Sequence, residues 1–229
     1  MTDLQDAPLT TDRLSELLEL AIHEHRLAPG TKLGEDELGE IYGVSRTIVR
    51  AALQSLAHQR LVELRRNKGA FVAQPKVKEA REVFEARALL EPRTAHSAAL
   101  RITDAQIAAL QAHIDAEHEA IHKGDHGRAL YLSGQFHIEI AKIADQETIA
   151  AFIQQLISRS SLIIALYWQR RSALCESNAH HALMKAFIAR DGDRAQELMN
   201  SHLVDLMTSL DLRNITATPT TLRDALVGS

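Results

Sequence analysis

The sequence predicts a mainly α chain in two parts, a small N-terminal domain closed by a β-ribbon and a C-terminal antiparallel all-helical bundle. Three observations predict it. Residues 35–58 hold two stretches of helical apolar spacing separated by Gly43, a residue that tolerates the tight turn between two helices. Residues 61–72 alternate apolar and polar around Asn67-Lys68-Gly69, as short strands joined by a turn do. From Val77 onward the spacing is helical throughout, and a chain that is 45% hydrophobic but only 4% aromatic suits helices packed through Ala and Leu.

Taken in order, residues 1–10 read as a loose arm, and Thr11 to about His25 as an amphipathic helix carrying Leu14, Leu17, Leu18, Ala21 and Ile22. Ala28-Pro29-Gly30 stops it. Glu35 to Tyr42 follows as a helix, and Ser45 is placed to cap the next one, Arg46 to about His58. At ~100° per residue this last helix gathers Ile48, Val49, Ala52, Leu53 and Leu56 on one side. Arg46, Thr47, Arg50, Gln54 and His58 gather on the other. A packed back and a front of Arg, Thr and Gln fit a helix that enters the DNA major groove. With the ribbon behind it, the expectation is a winged helix-turn-helix, Arg65, Arg66, Lys68 and Gly69 forming the wing. Charge agrees. The whole chain is at −4, yet from Val44 to Val72 six basic residues face Glu63 alone.

Gln74-Pro75-Lys76 reads as a linker. Helices are expected at about 77–100, 103–123, 125–144, 147–170, 177–191 and 194–212, with Thr103, Asp125 and Ser177 as caps and Pro92 kinking the first or starting a new segment. Leu222 to Val227 adds a short turn of helix. The expected domains are a winged helix-turn-helix over 1–74, a linker over 75–79 and a helical bundle over 80–229. No stretch matches a nucleotide-binding Gly-rich loop, a Gly-x-Ser-x-Gly elbow or a His-Glu-x-x-His helix. The single cysteine, Cys175, fits a reducing cytoplasm. No apolar run reads as long enough to span a membrane, and Met1 to Thr11 lacks an export pattern, so the expected location is cytoplasmic.

Within the bundle, polar residues on apolar faces mark a site. Arg87 lies among Val83, Phe84 and Leu90, paired either with Glu91 or with a bound carboxylate. Helix 147–170 is apolar nearly all round, which marks it as central, and Arg159 interrupts it as a second anion-binding candidate. Of twelve histidines, His23, His25, His113, His118, His122 and His126 read as solvated. His137, His180 and His202 lie on apolar faces. In one straight helix the last two would stand ~33 Å apart. A fold-back at Asp191-Gly192-Asp193 instead sends eleven residues up and eleven down and brings the imidazoles level, so the three share one site.

Two resemblances attach to these residues. Pro29-Gly30, Leu33, Leu38, Gly43-Val44-Ser45-Arg46-Thr47, Val49-Arg50, Ala52-Leu53, Leu56, Leu61-Val62 and Gly69-Ala70-Phe71-Val72 resemble the DNA-binding domain of the GntR superfamily of bacterial transcription regulators. Ala51 departs from it where a Glu commonly stands, and Asp36 where some relatives carry a DNA-contacting Arg. Glu85 to Glu91, Phe136-His137, His180 with Ala182-Leu183, and Ala195 through His202 resemble the all-helical FCD effector domain of the FadR-type branch. That resemblance implies a dimeric regulator whose affinity for a palindromic operator a small organic acid changes. It also implies a divalent metal (Zn, Ni or similar) held by His137, His180 and His202. Ser133 stands where many relatives supply a fourth ligand, an Asp.

The expected DNA contacts are Ser45, Arg46, Thr47, Arg50, Gln54, Arg65, Arg66, Lys68 and Gly69. The expected effector pocket is Arg87, Ser133, His137, Arg159, His180 and His202. The alternative is a metal-dependent hydrolase with a basic accessory domain, since three imidazoles with open positions can activate water. It lacks a clear general base: Glu139 points away from His137, leaving Glu176, one turn before His180.

Overall fold

The computed structural model describes residues 9–168, 174–213 and 221–227, with backbone alone at 174–177. They divide into two compact units. Cys175 and Glu176, and with the latter its suggested role as general base or substitute ligand, lie outside the described side chains.

The first unit opens with α1 (Thr11–His23), capped by the Thr10 hydroxyl. β1 (Lys32–Leu33) follows, then α2 (Glu35–Tyr42), α3 (Arg46–His58), β2 (Val62–Arg65) and β3 (Gly69–Val72). α2 and α3 start and stop where the periodicity places them, because their boundary signals are local. Gly43 takes φ 65, the left-handed turn, and the Ser45 hydroxyl accepts from the Ile48 amide at 3.4 Å. The strands form one antiparallel sheet in the order β1-β3-β2, with Val62 opposite Val72 and Arg65 opposite Gly69. β1 was not expected. Two residues are too short to show alternation, and β1 exists because Leu33 pairs with Ala70. Leu14, Leu18, Leu38, Val49, Ala52, Leu53, Leu56 and Val72 close the core with essentially no exposure.

Among the described residues the second unit is a bundle of six helices: α4 (Val77–Arg101), α5 (Asp104–His122), α6 (His126–Ile143), α7 (Glu147–Tyr167), α8 (Leu174–Ile188) and α9 (Gly192–Thr208). Thr103 caps α5 in a reciprocal capping box with Gln106, and Asp125 caps α6. α8 starts at Leu174, three residues before the expected cap Ser177. α4 runs unbroken through Pro92, which is buried. A proline removes one backbone hydrogen bond, and neighbouring helices packed along α4 hold the rest of it in register.

α4, not α7, is the central helix: it packs most extensively on α9 and also on α6, α7 and α8. Its inner face is lined by Ala80, Ala95, Ala98 and Ala99, small enough to let neighbours approach closely. α7 packs on α4 and α6, and its outer Phe152 is 54% exposed. By length and composition α7 is apolar enough to cross a membrane, contrary to the sequence reading; here it is one wall of the bundle. The C-terminal α10 (Leu222–Val227) belongs to the first unit, not to the bundle where the expected boundary put it. It packs on α2, and the Arg26 guanidinium donates to the Ala225 carbonyl at 3.1 Å.

Candidate effector site and nucleic-acid interface

α6 carries His137 inward with Leu132, Phe136 and Ile140. α8 carries His180, and Asp191 caps α9 so that the chain reverses and returns His202 to the same level. The fold-back read from the spacing is therefore what joins these two elements. The three rings meet: centroids are 5.5 Å apart for His137 and His180, and 5.2 Å for each pair that includes His202. One ligating atom from each lies within 4.8 Å of the others, an arrangement able to hold a metal ion.

Behind the rings stand two buried carboxylates. His137 Nδ1 donates to Glu91 Oε2 at 2.6 Å, and His180 Nδ1 donates to Glu117 Oε2 at 2.9 Å. A proton held on Nδ1 leaves Nε2 with its lone pair, the tautomer a ligating imidazole needs. The free nitrogens face inward. His137 and His202 bring their Nε2 atoms to 3.2 Å, and His180 Nε2 is buried with no hydrogen-bond partner among the described residues.

Arg87 belongs to this assembly through Glu91, as one of its two expected arrangements had it. Its Nε donates to Glu91 Oε1 at 2.5 Å and its guanidinium also reaches Ser160 Oγ at 3.1 Å. All three residues are at most 2% exposed. Burial alone would raise the Glu91 pKa, but the Arg87 charge and His137 outweigh it and hold it at about 2. Burial pushes the His137 imidazole down against the pull of Glu91, and pushes His202 down further with the help of its His neighbours. Neutral imidazoles result, as metal ligation requires.

Other expectations sort differently. Ser133 is buried on α6 one turn before His137. Arg159 does not join Arg87. It is partly exposed and pairs with Glu79 at the start of α4, its nitrogen 2.6 Å from the carboxylate, while its neighbour Ser160 turns inward. Glu139 pairs with Lys142 at the surface. His23, read as solvated, is buried beside Glu19, and His113 Nε2 sits 2.7 Å from the Leu132 carbonyl. The sequence reading missed Glu117 altogether. Its signal was present: Glu117 continues the inward row of Leu110 and Ile114 on α5.

In the first unit, α3 turns Arg46, Thr47, Arg50 and Gln54 to solvent, with Ser45 at its N-terminus. Arg65 lies over the Phe71 ring at 4.4 Å and binds Glu63. Arg66, Lys68 and Gly69 are exposed at the ribbon turn, where Asn67 and Gly69 take φ 58 and 93.

A winged helix with exposed arginines on α3, together with a helical bundle holding a buried polar cluster, is the arrangement of a DNA-binding transcription regulator. Residues 10–72 match the bacterial regulatory proteins of the gntR family, and residues 82–205 match the FCD domain. The chain belongs to the gntR family and carries an FCD domain. It is 30% identical to the Galactonate operon transcriptional repressor of Escherichia coli K12, over 82% of this chain and 90% of that one. It is 26% identical to the HTH-type transcriptional repressor RspR of the same strain, over 91% and 92%. The fold is similar to that of E. coli McbR/YncC, with a TM-score of 0.77 at 20% identity, covering 91% of this chain and 97% of the other.

Proposed function

We propose that the protein is a cytoplasmic, homodimeric transcription regulator of the FadR-type branch. Residues up to 74 bind a palindromic operator. The bundle binds a small organic acid that changes operator affinity and provides the dimer contact. Ser45, Arg46, Thr47, Arg50 and Gln54 present the reading face; Arg65, Arg66, Lys68 and Gly69 form the wing, on phosphate or minor groove. A two-fold dimer places two such faces on two half-sites.

The observation that carries the effector reading is the convergence of His137, His180 and His202, with two of the rings oriented from behind by Glu91 and Glu117. The donor set fits a divalent metal such as Zn or Ni, and the orphaned Nε2 of His180 is the best single sign of it. His137, His180 and His202 would hold the ion. A bound ion supplies a positive charge that attracts a carboxylate. Ser133 stands where many such domains carry an aspartate, removing one negative charge, so its hydroxyl serves as a hydrogen-bond partner for the effector or a metal-bound water and not as a charged ligand. Arg87 stays with Glu91, and Arg159 stays outside the cluster with Glu79. That the relatives include a galactonate operon repressor supports an organic acid, since galactonate is a carboxylate.

The test is metal analysis of protein purified without a His-tag, followed by thermal-shift measurements with sugar acids and dicarboxylates, with and without metal. Bound metal lost in His180→Ala, and stabilisation by at least one acid that also alters a promoter gel shift, supports the reading. Protein that binds neither metal nor any acid overturns it.

A further inference from the structure

The first turn of α2 carries three acids, Glu35, Asp36 and Glu37. Two of them meet the arginines of α3. Asp36 pairs with Arg46. Glu35 engages Arg50 more fully: Arg50 Nε donates to both carboxylate oxygens at 3.1 Å, and Nη2 donates to Oε2 at 2.8 Å. Both side chains remain accessible, Arg50 at 63% and Glu35 at 33%. Exposed ion pairs add little to stability, so the consequence of this one lies in where it holds the guanidinium.

A guanidinium has five N–H donors in a fixed planar fork. Glu35 takes the side formed by Nε and Nη2. The end formed by Nη1 and the second Nη2 hydrogen remains open. An arginine pairs with guanine O6 and N7 through two parallel donors of this kind. We infer that Glu35 is a positioning residue for sequence readout, locking Arg50 so that its free end faces a guanine edge. The carboxylate also lowers the net charge of that spot. A partly neutralised arginine loses attraction for phosphate, which is charge-driven, and keeps its directional donors, which read a base. The hydrogen bond from Arg50 holds Glu35 below the usual carboxylate range, so the buttress stays charged at neutral pH. The inference rests on the DNA-binding reading above.

The test is selection from a randomised duplex pool by the full chain, its Glu35→Ala and Arg50→Ala variants, and the double variant. Glu35→Ala is expected to lose roughly tenfold of the preference for guanine at one position of each half-site, while its salt slope holds or steepens because the freed guanidinium regains its attraction for phosphate. The double variant is expected to match Arg50→Ala, because both changes remove one device. The melting temperature of Glu35→Ala is expected to stay near that of the parent. Two results overturn the inference alone: an unchanged base profile in Glu35→Ala, or losses of guanine preference that add to those of Arg50→Ala. A parent chain that enriches no sequence removes the DNA-binding reading itself and the inference with it.

Discussion

His180 Nδ1 and Glu117 Oε2 lie 2.9 Å apart, joining α8 to α5, and neither side chain is more than 1% exposed. Such a carboxylate fixes the ring's tautomer and raises its strength as a ligand. Glu117→Gln keeps the volume and removes the charge. It is expected to weaken divalent metal binding about 10–100-fold while leaving the fold intact. Titration calorimetry with Zn or Ni on both proteins checks this; equal affinities would leave Glu117 a structural residue only.

Arg87→Ala strips Glu91 of its guanidinium partner inside the bundle. A buried charge left without its partner costs about 3–5 kcal/mol. Urea unfolding is expected to show a loss of that size, and Arg87→Ala/Glu91→Ala is expected to recover part of it.

Acidification is expected to destabilise the metal-free bundle in two separate windows. His137 and His202 have folded pKa values below their ordinary one. The unfolded chain therefore takes up protons first as pH falls below about 6.5, and stability falls by about 1.4 kcal/mol per pH unit for each ring kept neutral. Glu91, lowered to about 2, loses its contribution only below about 4.5. Melting curves between pH 7.5 and 5.5 check the first window, and His202→Gln is expected to flatten it.

Arg50→Ala is expected to cost about 1–3 kcal/mol of specific DNA binding and to relax base preference at its contact. Lys68→Ala is expected to weaken binding to all sequences and to lower the salt slope by about one. Salt-dependent gel shifts on selected and random duplexes distinguish them; identical behaviour of the two variants would remove the division between reading helix and wing.

The full chain is expected to sediment as a dimer at micromolar concentration. A monomer there would count against two half-sites read by one symmetric particle.

Much of the fold was legible because its signals are local. Gly43 and Ser45 mark the boundary between α2 and α3 by backbone conformation and side-chain capping, and Thr103 and Asp125 do the same for α5 and α6. The three histidines were legible because a polar residue on an apolar stripe needs a buried partner, and the Asp191 turn sets the level at which two of them return. Tertiary structure decided the rest. Periodicity tells which side of a helix is covered, not by which neighbour. It could not say that Glu117 on α5 would reach His180 sixty-three residues away, or that Ser160 and not Arg159 would face Arg87. Nor could it make α4 the centre over the more apolar α7, because centrality follows from close approach at Ala80, Ala95 and Ala98. β1 and the placement of α10 on α2 have the same origin: each is too short to hold its conformation alone and exists where another element completes it.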